Sequence, residues 1–350
     1  MKVAISTASS YSDILKSCLK SVGVYSEILN PWGQRNGLTR IIKKTNYFHA
    51  LLLQWPEALL SSEERYYLNK TIIDEIEILL YRISKYTKII FIFHNLLPHD
   101  GFSELEKYLY ERIIDSSSVI LHHSYSGYIK ALQLYPLLEN KKNLIFRHPP
   151  YFFIHEFTSD QNLLVRLQLD LSKKYFLIIG SIAHYKNIEL FFHTFSDLDL
   201  SRYGLIIAGK SYFGYFKEFE PIIRKLLNLN SDIKIIDKWL TDKEIATIVQ
   251  HSDFLVCNNS NVTITSGIPH LCEAGRKILY SDYQNDYLKE ISGLYTIGRD
   301  KIGEISVIKK CYNHLEKIYR DNNKYKSGLT LKSIIESDYH LKAWPELLEP

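Results

Sequence analysis

Short apolar runs typical of buried strands recur along residues 1–150, and segments with helical spacing separate them. Unbroken apolar runs, unlike alternating ones, indicate parallel strands that are covered on both faces. The predicted strands are 2–6, 25–29, 50–54, 88–94, 118–122 and 143–146, and the predicted helices are 12–22, 64–84 and 103–114. This alternation predicts an α/β fold with a doubly wound parallel sheet.

A second series of the same kind follows a break at His148-Pro149-Pro150-Tyr151, where consecutive prolines force an extended segment. Its predicted strands are 175–182, 204–208, 233–237, 253–257, 277–281 and 294–297, and its predicted helices are 187–195, 216–228, 242–251 and 305–319. We therefore predict two domains, 1–155 and 156–332, with a crevice between them. The segment 333–350 has no strand partner left, and we expect a helix there that packs back on the first domain.

Composition limits the class of protein. The chain has 350 residues, of which 46% are hydrophobic and 23% charged, so it can bury two ordinary cores. Its net charge of +4, with the excess before residue 155, is too small to indicate nucleic acid, although it suits a charged substrate or an anionic membrane surface.

The same sequence indicates the cellular compartment. Four scattered cysteines without a CxxC pair suit a reducing cytosol. We see no signal peptide and no apolar run of membrane-spanning length. We expect a cytoplasmic protein whose only membrane contact is peripheral, through the N-terminal domain at the inner face.

The segment 253–282, DFLVCNNSNVTITSGIPHLCEAGRKILYSD, contains two strand-like runs joined by a polar loop and a helical stretch. Its loop, 258–266, would lie at the carboxyl end of a strand, where open α/β sheets bind ligands. Thr263, Thr265, Ser266 and Gly267 stand where a helix would begin, so hydroxyls and unpaired backbone N–H groups would converge on an anion such as phosphate. The alternative is an ordinary capped helix.

Several motifs, taken together and in order, resemble those of glycosyltransferases with the GT-B fold, nearest to retaining family four. In the second half they are FLIIGSIAHYKNI at 176–188, GLIIAGK at 204–210, WLTDKEI at 239–245 and HSDFLV at 251–256. In the first half LQWPE at 53–57, IFHNLLPHD at 92–100 and HHSY at 122–125 resemble polysaccharide-building members. The resemblance implies two Rossmann-like, doubly wound domains facing a cleft.

A positive group for the diphosphate of a nucleotide-sugar is the first requirement of such an enzyme, because charge develops on the leaving oxygens. Lys186, which follows Gly180, matches the family's diphosphate-binding lysine. The alternative is a solvated lysine at a helix start, where a cation is unfavourable unless an anion is bound nearby. The family usually has an arginine directly after the glycine, whereas this chain has Ser181; Lys210 or Arg276 would have to substitute.

The ribose and the sugar would be held around the 258–266 loop. The resemblance assigns the ribose hydroxyls to Glu273, although an alignment shifted by a few residues would place His270 there and an exposed helix glutamate is the competing interpretation. The family's earlier glutamate is replaced by a polar residue within 259–263. The further donor-binding residues that we predict here are Asn259, Thr265, Ser266 and Gly267.

Two histidines mark the acceptor side. His94 ends an apolar strand and matches a histidine that contacts the donor sugar in the family, while His99 and Asp100 follow closely enough to orient an acceptor hydroxyl or to act as base. Ser9 and Ser10 come directly after the first strand and either line the acceptor side or cap a helix. A purely structural role is the alternative for each histidine.

We predict no metal site and no cofactor. Asp197-Leu198-Asp199 spells the metal-binding DxD of another glycosyltransferase fold but lies in a domain that needs no metal. His122 and His123 are adjacent on a strand and point to opposite faces, which rules out shared ligation of one ion by that pair.

The sequence thus predicts a glycosyltransferase that moves one sugar from a UDP- or GDP-sugar to a saccharide or lipid-linked acceptor in surface polysaccharide synthesis, with retention of configuration. The alternatives are an inverting transferase, a nucleotide-sugar epimerase, or a non-catalytic protein that binds a nucleotide-sugar or a partner.

Overall fold

The chain forms two compact units. The structure, a computed structural model, describes residues 1–6, 9–29, 47–98, 103–149, 151, 154, 157–186, 188–196, 198–211, 215–228, 232–257, 267–271, 277–279, 290 and 324–336. The first unit contains residues from Met1–Pro149 and the helix Lys324–Glu336, and the second contains residues from Pro150–Asn261 and Ser266–Arg320. The predicted strand 294–297 and helix 305–319 lie outside the described residues.

The first unit is a six-stranded parallel sheet flanked by helices. The strands are β1 Lys2–Ile5, β2 Tyr25–Ile28, β3 Ala50–Gln54, β4 Lys88–Phe93, β5 Val119–His122 and β6 Lys142–Ile145. The helices are α1 Ser10–Ser21, α2 Ser62–Tyr66, α3 Lys70–Ser84, α4 Glu104–Ser116 and α5 Tyr125–Leu134, with short 3-10 helices at Pro56–Leu59 and Pro136–Asn140. The strand order is β2-β1-β3-β4-β5-β6. The chain adds β2 on one side of β1 and the later strands on the other side, so the topological switch point lies between β1 and β3.

The apolar runs and the cap residues explain these elements. Every residue of β3 is buried, as expected for a strand covered on both faces. The predicted helix 64–84 is wrong as a single element: it is α2 followed by α3. Asn69 separates the two helices, because its side chain accepts a hydrogen bond from Ile72 N at 3.1 Å and so caps α3. Apolar periodicity continues across this break and does not reveal it.

The second unit has a five-stranded parallel sheet. Its strands are β7 Lys174–Ile179, β8 Tyr203–Ala208, β9 Asp232–Ile236, β10 Phe254–Val256 and β11 Lys277–Leu279. Its helices are α6 Gln161–Leu167, α7 Ile188–Ser196, α8 Tyr215–Asn228 and α9 Asp242–Gln250, with 3-10 helices at His184–Lys186 and Ile268–Leu271. The order β11-β10-β7-β8-β9 places the switch point between β7 and β10.

A helix near the end of the chain, α10 Lys324–Glu336, belongs to the first unit and packs against α1. Lys88 Nζ donates a hydrogen bond to the carbonyl oxygen of Ile334 at 2.9 Å, and Leu331 is fully buried. The helix lies mostly before the predicted segment 333–350, whose residues from 337 on lie outside the described residues. No described helix has the length and apolarity needed to cross a bilayer.

The end of β5 makes the first unit sensitive to acid. His122 and His123 are buried, and burial lowers the pKa of each imidazole to about 4. Since a histidine in an unfolded chain has a pKa near 6.5, the unfolded state binds protons that the native state excludes as the pH falls. We expect the free energy of unfolding to decrease between about pH 6.5 and pH 4 by on the order of 3 kcal/mol per imidazole.

Urea unfolding followed by circular dichroism at several pH values measures this decrease. His123→Asn should reduce its slope, whereas His49→Asn, a substitution at an exposed histidine of the same unit, serves as the control. Equal slopes in the two variants would contradict the assignment.

Candidate functional site

In the second unit the carboxyl ends of β7 and β8 lie in direct backbone contact. Gly180 has φ +96° and Gly209 has φ +146°, both in the region that favours glycine. The N–H of Gly209 donates to the carbonyl of Ile236 at 2.9 Å, and that of Gly180 donates to Ala208 at 3.0 Å. A Cβ at Gly209 would lie 1.9 Å from the carbonyl oxygen of Gly180, so only glycine fits. Sequence reasoning singled out Gly180 and missed Gly209.

Lys186 lies beside the carboxyl end of β7. It ends the 3-10 helix His184–Lys186, just before α7, and only 7% of the residue is exposed. Its Nζ donates a hydrogen bond to the carbonyl oxygen of Ile179 at 2.8 Å, and a Cβ at Gly180 would lie 3.6 Å from Nζ. The interpretation of Lys186 as a solvated surface lysine is therefore wrong.

Among the described residues, no carboxylate lies close enough to Lys186 to shift its pKa. Burial lowers the pKa of Lys186 to about 8, and the negative form of Cys257 opposes this change. Cys257 is itself buried and directly follows β10. The ammonium therefore lies at the switch point of the sheet, beside the strand end from which the predicted loop 258–266 departs.

Lys210, the candidate second cation, is paired. Its Nζ lies 3.3 Å from Asp237 Oδ1, and both side chains are about two-fifths exposed. Asp237 also accepts a hydrogen bond from Ser211 N at 2.9 Å. An exposed pair of this kind is worth at most about 1 kcal/mol, so Lys210 can exchange Asp237 for another anion at little cost. Ser181 accepts a hydrogen bond from the hydroxyl of Tyr185 at its carbonyl oxygen, at 3.3 Å.

Gly267 precedes a 3-10 helix at Ile268–Leu271. His270 lies in this helix and is 3% exposed. The remaining donor candidates lie outside the described residues; these are Asn259, Thr263, Thr265, Ser266, Glu273 and Arg276.

In the first unit, rings collect at the carboxyl ends of the strands. The His94 ring, directly after β4, stacks on Trp55 with centroids 4.4 Å apart and planes 12° apart. Tyr11, at the start of α1, meets the His94 ring edge-on at 4.7 Å. Trp55 has φ +44°, a strained conformation for a bulky residue, and such strain concentrates at functional sites. Tyr11 and Trp55 flank the β1/β3 switch point.

Two further histidines join this cluster. The His123 ring lies 4.9 Å from that of His94 and 5.2 Å from that of His148. His123 Nδ1–H donates to the carbonyl of Phe146 at 2.7 Å, whereas its buried Nε2 has no hydrogen-bond partner among the described residues. Sequence reasoning assigned a site role to His94 and none to Tyr11, Trp55, His123 or His148, although Trp55 and His123 lie in the motifs LQWPE and HHSY. The signal that links His94, His123 and Trp55 was a position at the end of a predicted strand or directly after it.

The serines after β1 lie at the start of α1. Ser9 caps α1, since its Oγ accepts a hydrogen bond from Ser12 N at 3.1 Å. Ser10 is the first residue of that helix and is partly exposed. His99 and Asp100 lie outside the described residues.

The described part of the chain contains no group of three or more histidine, cysteine, aspartate or glutamate side chains that could hold a metal ion. His122 packs against Phe93 and Tyr128, whereas His123 contacts Tyr11, so the two rings lie on opposite sides of β5, as the strand alternation predicts.

Known proteins match this chain in structure and not in sequence. No family model and no curated protein matches the sequence. Among solved structures, the sucrose-phosphate synthase of Thermosynechococcus elongatus superimposes with a TM-score of 0.70 at 9% identity, covering 95% of this chain and 98% of that one. The chain has the GT-B fold. Its two parallel-sheet units confirm the fold class that the sequence predicted.

Two other solved GT-B proteins are also similar. Anabaena HepE, in complex with UDP-glucose, has a TM-score of 0.64 at 12% identity and covers 96% of this chain and 99% of its own. The UDP-forming α,α-trehalose-phosphate synthase of Burkholderia vietnamiensis has a TM-score of 0.59 at 9% identity, with 95% and 97% covered. At such identities the likeness establishes the fold, and it does not place this chain in glycosyltransferase family four.

Lys186→Met should stabilise the ligand-free protein. Methionine has a similar volume and carries no charge, whereas the lowered pKa of Lys186 means that its ammonium costs on the order of 3 kcal/mol at neutral pH. We expect a higher melting temperature for the second unit, measured by differential scanning calorimetry. The control is Lys174→Met, at the exposed amino end of β7, which should change it little. A lower melting temperature for Lys186→Met would contradict the burial argument.

Gly209→Ala should destabilise the second unit by several kcal/mol, because the new Cβ meets a carbonyl oxygen and the residue keeps a strained φ. Gly23→Ala is the matched control: Gly23 has φ +74°, but a Cβ there would have nothing within 4 Å, so this variant bears only the strain of an alanine at positive φ. Chemical denaturation of both variants measures the difference. Equal losses would mean that the contact with Gly180 has no energetic consequence.

Proposed function

We propose that this protein is a glycosyltransferase that moves a single hexose from a UDP- or GDP-sugar to a saccharide or lipid-linked saccharide acceptor. The observation that carries the proposal is the buried Lys186 ammonium at the switch point of the second sheet. Among the described residues no carboxylate pairs with it, so its burial is costly. An anion that arrives beside it offsets this cost, and the diphosphate of the donor is such an anion.

The chemistry follows from this charge. When the bond between the sugar and the diphosphate breaks, negative charge grows on the leaving oxygens, and a fixed ammonium stabilises that charge more than it stabilises the bound donor. We propose that Lys186 fills this role without a metal ion and that the reaction needs no cofactor beyond the nucleotide-sugar. Lys210, at the rim, would exchange Asp237 for a phosphate oxygen.

The acceptor and the outcome rest on the resemblance of the motifs. These motifs favour a retaining transferase of surface polysaccharide or glycoconjugate synthesis, in which His94 contacts the donor sugar. We assign the acceptor to the first unit, at Ser9, Ser10, His99 and Asp100. The solved structure of HepE with UDP-glucose makes a UDP-sugar the first donor to test.

We place the protein in the cytoplasm, with the first unit in peripheral contact with the inner face of the membrane. The positive excess of residues 1–155 supports this placement, because anionic lipids attract such a surface.

Nucleotide binding through Lys186 is measurable as a thermal shift. Ligand that binds only the native state raises its stability, so a panel of UDP, GDP, dTDP and their sugars should raise the melting temperature for the true donor. Lys186→Met should lose this shift and lower kcat/KM for transfer by about 100-fold or more. Lys174→Met should keep both. A full shift in Lys186→Met would overturn the assignment.

The affinity for UDP should fall as the pH rises above about 8, the pKa of Lys186, because the neutral amine no longer attracts the diphosphate. The fall approaches tenfold per pH unit if binding requires the ammonium. Isothermal titration calorimetry between pH 7 and 10 measures it, and Lys186→Met should show no such dependence. Cys257→Ser separates this effect from titration of the neighbouring thiol, since it should keep the dependence.

A protein that binds without transferring is the second candidate. Ser181 in place of an arginine and the pairing of Lys210 with Asp237 favour it, because both reduce the positive charge available to the diphosphate. UDP binding by purified protein, with neither hydrolysis of the donor nor transfer to any acceptor, would decide for this alternative.

A further inference from the structure

His123, directly after β5, has a ring nitrogen that the described residues leave unpaired. The residue is 3% exposed, and its Nδ1–H donates to the carbonyl oxygen of Phe146 at 2.7 Å. Because a carbonyl can only accept, this bond fixes the tautomer, and Nε2 carries the lone pair. Nε2 is buried and has no hydrogen-bond partner among the described residues. A buried acceptor without a partner is costly, and a donor that reached Nε2 would remove that cost.

Nε2 lies among rings at the carboxyl edge of the first sheet. The centroids of the His94, His148 and Tyr11 rings lie 4.9 Å, 5.2 Å and 5.4 Å from that of His123. The two nitrogens of an imidazole face nearly opposite sides of the ring, so Nε2 is directed away from the Phe146 carbonyl. His94 directly follows β4, and Tyr11 lies in the first turn of α1. The unpaired nitrogen is therefore at the edge where open parallel sheets bind ligands.

His122 provides the comparison within the same strand. It is also buried, and its Nδ1 also lacks a partner among the described residues. Its ring, however, lies on the opposite side of β5 and packs against Phe93, a member of the hydrophobic core, and Tyr128. The ring of His122 thus belongs to the core, whereas that of His123 belongs to the cluster at the strand ends.

The chemistry of this cluster suits a neutral ligand. Burial lowers the pKa of His123 to about 4, so its imidazole is uncharged at physiological pH. An uncharged nitrogen with a lone pair accepts a hydrogen bond from a hydroxyl group. The rings of Tyr11 and Trp55 add apolar surface, which suits the C–H groups of a sugar ring. Hydroxyl donors on an apolar ring are the chemistry of a neutral saccharide.

We propose that His123 binds the acceptor saccharide by accepting a hydrogen bond at Nε2 from one of its hydroxyl groups. The inference rests on the proposed function, because it takes the saccharide to be the acceptor of the transfer. It adds a residue to the predicted acceptor side, where the Ser9 hydroxyl already accepts the cap bond of α1.

Nitrogen NMR of the wild-type protein, labelled with isotopic nitrogen in its histidines, tests the contact directly. The probes are the methyl glycosides of glucose, galactose, mannose and N-acetylglucosamine, each added with and without UDP. At least one should move the His123 Nε2 signal upfield in a saturable manner, as a new hydrogen bond requires, and leave the His122 signals in place. A signal that no probe moves, as expected if only a water molecule binds Nε2, would overturn the proposal.

His123→Asn is the matching variant. Asparagine places an amide N–H where Nδ1–H stood, so it can keep the bond to Phe146 while the Nε2 acceptor is lost. The KM for the glycoside that moves the signal should rise by about tenfold, and kcat should fall less. The Kd for UDP should not change, because Lys186 belongs to the second unit.

His122→Gln is the control. Glutamine places an amide N–H where Nε2 of His122 contacts Asn143 Oδ1 at 2.9 Å, so this variant changes a buried histidine of the same strand without touching the cluster. It should leave both the acceptor KM and the Kd for UDP unchanged when these are measured well below the melting temperature.

The outcomes separate this inference from the proposed function. An acceptor KM that rises equally in both variants, or that rises together with the Kd for UDP, would indicate a general structural defect and overturn the role of His123. An unchanged acceptor KM in His123→Asn would overturn it as well and leave the proposed function standing. No UDP binding by the wild-type protein would overturn the proposed function, whereas a saturable movement of the His123 signal would still support the saccharide site.

Discussion

The burial of one ammonium group is the constraint on which the binding edge of the second unit depends. Lys186 reaches its place because the chain turns through a short 3-10 helix and directs Nζ back to the carbonyl of Ile179. A chain selected for stability alone would place a methionine or leucine there. Among the described residues no carboxylate neutralises this buried charge, which supports the proposal that an anion completes the site.

Two glycines near the Lys186 ammonium allow two strand ends to approach each other closely. Gly180 and Gly209 touch through their backbones, so the ends of β7 and β8 meet with no side chain between them. The polar backbone groups of these turns thus stay near the ammonium. An anion at this point can meet both the charge and the backbone, as at other strand-to-helix turns of parallel sheets.

The first unit uses the same topology with different chemistry. Its switch point, between β1 and β3, is flanked by Tyr11 and Trp55, and the imidazoles of His94 and His123 lie beside them. Parallel strands end at one edge, so residues distant in sequence converge there. Burial lowers the pKa of the His123 imidazole, so this ring is neutral at physiological pH.

The sequence by itself determined the parallel sheets and the positions of the described strands, because unbroken apolar runs are local signals. It also predicted that ligands bind at the carboxyl edge of the strands. The resemblance of the motif at 176–188 to that of GT-B glycosyltransferases also singled out Lys186. Only the tertiary structure decided that Lys186 is buried and lies beside Cys257, that Gly209 must be glycine, and that the rings of Tyr11, His94 and His148 lie around His123. These facts depend on contacts between segments far apart in the chain, which no local pattern encodes.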